Sequence, residues 1–264
     1  MTAAGKWAII TGASSGIGRA LAREFAAGGF NVLLIGRNSD ALQAAADECR
    51  LKHRVESDVV PTDLSSADSV DSLITAVLSK HRIYEVLVNN AGFAVHGEFA
   101  ATDIDENIRL LNVQLAAALK LTRAVAPLMI SQGSGKILNV ASVYSFAPVP
   151  FQSVYSACKA FLLSFSISLR SELKGTGVSV TAFCPGITQT EFRARAGIPE
   201  KRQDAGMTAA EAARIAYLGT LRGRAVIVPG FLNRMFVLAA QLLPADSAAS
   251  LVRFINRRRG QVRA

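Results

Sequence analysis

Tyr155 and Lys159 stand four residues apart in the run Ser153-Val154-Tyr155-Ser156-Ala157-Cys158-Lys159, a spacing that puts both side chains on one helix face. A tyrosine hydroxyl titrates near about 10 in water, so it donates a proton readily but is a poor base at neutral pH. A neighbouring ammonium favours the phenolate, at about 1.4 kcal/mol for each unit of downward shift. Such a pair suits both directions of a carbonyl–alcohol interconversion. Ser142 lies thirteen residues before Tyr155, in Asn139-Val140-Ala141-Ser142. A hydroxyl there, at a strand end, can hydrogen-bond a substrate oxygen as charge develops on it. A Tyr and a Lys four apart recur by chance, so the pair needs a context.

That context begins with Thr11-Gly12-Ala13-Ser14-Ser15-Gly16-Ile17-Gly18. A glycine-rich turn between a strand and a helix points backbone N–H groups at a phosphate, and glycine lets a pyrophosphate approach the backbone closely. The second apolar run ends in Ile35-Gly36-Arg37-Asn38, with no carboxylate at the position. A carboxylate there would accept from a ribose 2′-hydroxyl, whereas the planar fork of Arg37 suits a 2′-phosphate.

Positioning these groups requires a regular scaffold. Residues 7–11, 31–36, 55–60, 84–88, 136–140, 178–183 and 225–228 are seven strand candidates, near-continuously apolar as in a sheet covered on both faces. Helical periodicity fills the gaps, over 16–28 with Ile17, Leu21 and Phe25 four apart, over 39–51, and from Tyr155 to Lys174. This alternation predicts an α/β single domain with a doubly wound parallel sheet and helices on both faces. The body runs over 1–230, with a loop or lid at about 187–210, and 231–264 is an extension that is apolar and then basic.

Composition narrows the partners. Of 264 residues 50% are hydrophobic and 19% charged, which excludes a disordered chain or a coiled coil. The cysteines, Cys49, Cys158 and Cys184, are odd in number and widely spaced, so neither a disulfide scaffold nor a zinc site is expected and a reducing cytoplasm is the simpler setting. His53, His81 and His96 are scattered, which supports no metal site and no histidine base. No targeting segment is evident, and the longest apolar run, 236–243, is far short of the roughly 20 residues that cross a bilayer. The net charge is +9, and after Asp246 there is no acid while Arg253, Arg257, Arg258, Arg259 and Arg263 follow. Leu251, Phe254 and Ile255 fall on one helical face among them, a pattern shared by an interfacial helix on anionic lipid, a helix in a partner's groove and a helix packed on its own domain. Nucleic acid is not expected, because no aromatic–basic interleaving accompanies the charge.

Taken in order, these motifs resemble the classical short-chain dehydrogenase/reductase family over residues 6–228. The glycine spacing is Gly-x3-Gly-x-Gly rather than the Gly-x-Gly-x2-Gly of ordinary Rossmann dehydrogenases, Asn89-Asn90-Ala91-Gly92 follows the fourth strand, and Ser142, Tyr155 and Lys159 match the family's Ser-Tyr-Lys triad. The resemblance implies a Rossmann-type fold and an NAD(P)-dependent oxidoreductase, with NADP(H) favoured and NAD(H) as the alternative. It implies hydride transfer between the nicotinamide and a small-molecule carbonyl or secondary alcohol, a lipophilic ketone or 3-oxoacyl compound. It assigns cofactor contacts to Gly12, Ser14, Ser15, Gly16, Ile17 and Gly18 in the turn, to Arg37, to Asp63 and Leu64 near the adenine, and to Asn90, Ala91 and Gly92. Pro185, Gly186, Ile187, Thr188 and Thr190 would lie against the nicotinamide, and Tyr155 and Lys159 beside its ribose. Lys159 would also lower the Tyr155 pKa. Asn112, in Leu111-Asn112-Val113, matches the helix asparagine that holds a water linking Lys159 to solvent. Helices over 113–128 and 155–173 correspond to those by which family members pair into homodimers and homotetramers.

The chain departs from the family pattern at Ser15, where some members carry a second basic residue, and at Thr188, which replaces an apolar one. Asp63 also reads as a helix N-cap in Thr62-Asp63-Leu64-Ser65. Cys158 reads as a buried packing thiol. Phe93, Val95, Tyr144, Phe146 and Phe151 read equally as pocket lining and as loop packing. Two other functions compete: an extended-type sugar epimerase or dehydratase, which the glycine spacing and short chain disfavour, and a non-catalytic NADP-sensing regulator, which has no need of the triad.

Overall fold

The computed structural model of the protein describes residues 5–198 and 206–258. The apolar runs form β1 (Lys6–Thr11), β2 (Asn31–Gly36), β3 (Ser57–Pro61), β4 (Ile83–Asn89), β5 (Gly135–Val140) and β6 (Val178–Phe183). Two short strands follow, β7 (Thr188–Gln189) and β8 (Met207–Thr208), and then β9 (Val226–Ile227). The main sheet has seven strands in the order β3-β2-β1-β4-β5-β6-β9, every pair parallel. The expected seven strands are these, with shifted ends. β3 starts at Ser57 rather than Val55 because Arg54 ends the preceding helix in the left-handed conformation, φ 56°, so Val55 and Glu56 complete the turn. The expected loop after β6 is partly ordered, since β7 and β8 pair in parallel.

Helices cover both faces. On one side α1 (Gly16–Ala27) and α2 (Ser39–His53) bury Leu21, Phe25 and Leu42 against Ile10, Leu34 and Val88. On the other lie α3 (Ala67–Leu78), α4 (Ile104–Leu111), α5 (Ala117–Ser131) and α6 (Ser153–Glu172). A π-helical turn, Asn112–Ala116, joins α4 to α5. The resulting helix, Ile104–Ser131, is long and apolar enough to cross a membrane by length and composition. Here it is a core helix, with Leu121, Val125 and Met129 buried on Leu87 and Ile137, each worth about 1.5–3 kcal/mol. The chain continues through α7 (Phe192–Arg195) and α8 (Ala209–Leu221), the latter capped by Thr208 and Glu211 in a reciprocal pair. It ends in α9 (Phe231–Leu242) and α10 (Ala245–Arg258). This extension packs on the body: Phe236, Ala240, Ala248 and Val252 bury Ala147 and Val149.

Strand order reverses between β1 and β4, and an open α/β sheet forms its crevice at the carboxyl ends of the strands flanking such a point. A buried polar chain holds those ends in place. Asn89 Nδ2 donates to Asn139 Oδ1 at 2.8 Å and to Thr122 Oγ1 at 3.0 Å, while Asn139 Nδ2 donates to Ser166 Oγ at 2.8 Å. β4, β5, α5 and α6 are thus tied together just behind Ser142 and Tyr155. Replacing Asn139 with Ala removes both of its bonds and leaves Asn89 Nδ2 with Thr122 Oγ1 alone and Ser166 Oγ with Leu162 O alone, and we expect a loss of about 1–3 kcal/mol, read as a lower urea midpoint at unchanged m-value.

Candidate active site

The glycine turn is clasped from across the reversal point. Thr11 Oγ1 donates to Val88 O at 3.1 Å and accepts from the backbone N–H of Asn90 and Ala91 at 2.9 and 3.0 Å. Asn90 Nδ2 donates to Thr11 O at 2.8 Å and Gly12 O at 3.3 Å. Little room remains for side chains: a Cβ on Gly12 would lie 2.9 Å from Ala91 Cα, and one on Gly18 would lie 2.2 Å from Gly12 O. Gly12 and Gly16 hold φ of +66° and +55°, the left-handed region that glycine enters freely.

The turn delivers the chain to α1 with Ser15 as N-cap and no side-chain hydrogen bond, and the first helical turn carries no acid. α2, α3 and α4 are each capped by a side chain, from Asn38, Ser66 and Asp103. The N–H groups opening α1 are therefore left for an anion, favoured there by the helix dipole. Arg37 projects exposed from the end of β2. Asp63 does not cap α3; Ser66 does. Instead Asp63 Oδ1 accepts from Ser65 N at 3.0 Å and Ser65 Oγ at 2.8 Å, because the helix begins three residues later than an N-cap reading of Asp63 requires. Those bonds, chiefly the backbone one, hold its carboxyl below the usual range, aided by the positive fields of Arg37 and Arg109.

Ser142 ends β5 and opens a short helical turn, Val143–Phe146, its Oγ accepting from Tyr144 N at 3.1 Å. Tyr155 stands in the first turn of α6, and both it and Ser142 line the same cleft. Lys159, one turn on, is 4% exposed; its Nζ donates to Val140 O at 2.8 Å and stands 5.5 Å from the Tyr155 ring centroid. Burial pushes the phenol above its ordinary pKa, opposed by the Ser142 side chain, and pushes the ammonium down to about 8. This corrects the expectation that Lys159 sets a low Tyr155 pKa: the ammonium is engaged by Val140 O, and loss of hydration dominates the phenol. At neutral pH Tyr155 is a protonated acid.

Ser145, which sequence reading missed, joins these parts. Its Oγ accepts from Ser142 N at 3.3 Å and donates to Lys159 O at 2.8 Å. Its signal was the Ser-x-x-Ser reciprocal cap starting at Ser142. Phe151, immediately before α6, holds φ +67°, a conformation costing about 1–3 kcal/mol for such a residue. It is fixed by Gly97 N donating to its carbonyl at 2.9 Å and by the Arg253 guanidinium 5.7 Å above its ring. The turn thereby sets the direction from which α6 presents Tyr155.

All nineteen positions read as cofactor contacts line one cleft of about 1290 Å3, with Ser142 in its wall. Asn112 is not among the residues lining it; its Nδ2 donates to Ser65 O at 3.2 Å, so the side chain anchors the loop after β3. Phe93 and Tyr144 face the cleft, while Val95, Phe146 and Phe151 do not. Cys158 is buried, its thiol pushed up to about 11 by burial, which fits packing. Also missed were Asn233, Phe236, Val252, Ile255 and Asn256, which roof the cleft from α9 and α10; only apolar periodicity hinted at them. Among the described residues no group of three His, Cys, Asp or Glu could hold a metal ion.

A family model for short chain dehydrogenases matches residues 6–201. The chain belongs to the short-chain dehydrogenase/reductase family. Sulfoacetaldehyde reductase of Chromohalobacter salexigens is 38% identical over 222 residues, 80% of this chain and 87% of that protein. Very-long-chain 3-oxoacyl-CoA reductase of Mus musculus is 37% identical over 192 residues, 71% of this chain and 61% of its own length. A short-chain dehydrogenase from Sphingobium yanoikuyae, solved in complex with NADPH, superposes with a TM-score of 0.81 at 31% identity, covering 98% of this chain and 96% of that one. As a short-chain dehydrogenase/reductase, the protein is an NAD(P)-dependent oxidoreductase acting between carbonyl and alcohol. The uncapped α1 and the close-packed glycines of the dehydrogenase fit a dinucleotide pyrophosphate. Because a Cβ at residue 18 would strike Gly12 O, Gly18→Ala should weaken NADPH binding at least about tenfold, measured by fluorescence titration.

Proposed function

We propose that the enzyme reduces a lipophilic ketone or 3-oxoacyl compound with NADPH, using Tyr155 as the acid. The observation that carries this reading is the convergence of Ser142, Tyr155 and the buried Lys159 in the wall of the same cleft as the glycine turn. A bound reduced nicotinamide supplies hydride to the carbonyl carbon. The chain's own groups bind, orient and move the proton. The N–H groups opening α1 would hold the pyrophosphate, and Arg37 would offer its guanidinium fork to the 2′-phosphate. Lys159, with one donor on Val140 O, has further donors for the ribose hydroxyls. Pro185, Gly186, Ile187, Thr188 and Thr190 border the nicotinamide end. Ser142 Oγ donates to the substrate oxygen, and Tyr155 Oη gives that oxygen its proton as the alcohol forms.

NADPH rather than NADH is supported by Arg37, by the absence of a carboxylate at Gly36, and by the NADPH held in the Sphingobium structure. A lipophilic substrate is supported by Phe93, Tyr144, Phe192, Ile198, Phe236 and Val252 on the cleft walls. Arg214 also borders the cleft and suits an anionic group that a substrate carries beyond its carbonyl. Exposed Leu119, Phe161 and Ile167 on α5 and α6 suit pairing into a homodimer or homotetramer.

The test is NADPH oxidation over ketones, aldehydes and 3-oxoacyl thioesters, with NADH as control. Tyr155→Phe should lower kcat by about 10²–10⁴-fold and leave NADPH affinity nearly unchanged; near-wild-type turnover refutes the assignment. Arg37→Asp should lower kcat/KM for NADPH and raise it for NADH. Lys159 has its pKa lowered to about 8, so its ammonium persists below that pH and is lost above it. The kcat/KM for NADPH, which reports on the free enzyme, should therefore fall as pH rises through about 8, and Lys159→Arg should remove that fall.

A further inference from the structure

α9 is mostly apolar, with Asn233, Arg234 and Gln241 its polar residues, yet it is buried on one side only. Its inner face packs Phe236 and Val237 on the body, whereas Phe231, Met235, Leu238 and Leu242, spaced as one helical stripe, are 75%, 46%, 51% and 76% exposed. Leu232 beside them is 81% exposed. Of the nineteen exposed large hydrophobic residues among the described ones, eight fall within residues 231–254. A patch of this kind in water marks a surface that something covers.

Two observations say what covers it. The segment 231–264 carries six arginines, four of them from residue 257 on, and one acid, Asp246, so the stretch of chain that bears the apolar stripe is strongly net positive. A two-fold contact with a second copy would bring two such segments to one seam, apolar on apolar but cation on cation. An anionic lipid surface satisfies both the stripe and the charge. With twelve residues α9 is about 18 Å long, too short to span a bilayer and suited to lying in its interface. Phe231 and Leu232 also belong to the cleft lining, so the stripe is continuous with the mouth of the active site.

We propose that the exposed face of α9 docks on an anionic membrane surface, setting the cleft mouth against the bilayer. The use of this docking, delivery of a lipophilic carbonyl from the lipid phase, rests on the proposed reductase reading; the docking itself does not. The experiment is co-sedimentation of the full chain with vesicles of phosphatidylcholine alone or mixed with phosphatidylglycerol, at low and high salt. The variant is Met235→Glu/Leu238→Glu/Leu242→Glu, whose three side chains point outward and do not line the cleft. We expect at least about tenfold stronger partition onto the anionic vesicles, weakened by salt, and about a tenfold loss in the variant. The variant should keep its melting temperature and its turnover of a water-soluble carbonyl. Failure of the wild type to bind anionic vesicles, or equal binding by the variant, overturns the proposal. So does light scattering that shows a dimer which the variant dissociates, since a second copy is then the occupant. Vesicle binding without turnover of any carbonyl would instead leave docking in place and remove the reductase reading.

Discussion

The site depends first on the clasp between the ends of β1 and β4. At the point where strand order reverses, two chain segments must leave the sheet in opposite directions, exposing backbone groups that the ladder no longer pairs. Thr11 Oγ1 and the Asn90 side chain take up those groups, binding Val88 O, Asn90 N, Ala91 N, Thr11 O and Gly12 O. The clasp draws the segment after β4 so close to the turn that only glycine fits at positions 12 and 18. The same closeness leaves the first N–H groups of α1 without a protein partner. Anion affinity is thus a consequence of how the reversal is closed.

A second constraint is the burial of an ammonium. Lys159 is nearly inaccessible and its nearest acceptor is a neutral carbonyl, Val140 O. Without a carboxylate partner, removing the charge from water costs more than that hydrogen bond returns, which is why its pKa falls to about 8. The fold tolerates this because Ser145 and the polar chain through Asn139 hold α6 rigidly against β5. What stability loses there, a ligand with hydroxyl acceptors regains when it meets the remaining donors of Lys159. Tyr155 follows the same rule with opposite sign, since burial favours its neutral phenol and keeps the proton ready for a developing alkoxide.

Much of this was legible in the sequence because it rests on local chemistry. Apolar runs marked the strands, and Gly12, Gly16 and Gly18 at a strand–helix junction marked the turn. Ser142, Tyr155 and Lys159 stand out by type and spacing. The unread parts depend on which of two local options tertiary packing selects. Thr62-Asp63-Leu64-Ser65 fits a cap as well as a turn, and Ser66 three residues on decides it. Asn112 has a side chain that reaches either way from a helix, and the π-helical turn aims it at Ser65 O. The tyrosine's pKa depends on how dry its site is, which no spacing conveys. Ser145 was visible as a reciprocal cap only once Ser142 was known to open a helical turn.

The roof of the cleft shows why the substrate is harder to read than the reaction. The family match ends at residue 201, while Asn233, Phe236, Val252, Ile255 and Asn256 come from α9 and α10 beyond it. Groups that handle the cofactor and the proton lie on sheet ends and on α6, where one geometry serves every carbonyl. On the proposed reading, groups that select the carbonyl lie on the last two helices, whose cleft-facing residues are Asn233, Phe236, Val252, Ile255 and Asn256. α9 is further constrained at its start, because Gly186 lies where a Cβ would meet the Asn233 side chain, and Asn233 Nδ2 is held by Pro229 O. The segment after β6 and the start of the roof are therefore packed directly together, so a substitution at Asn233 reaches the residues that follow β6.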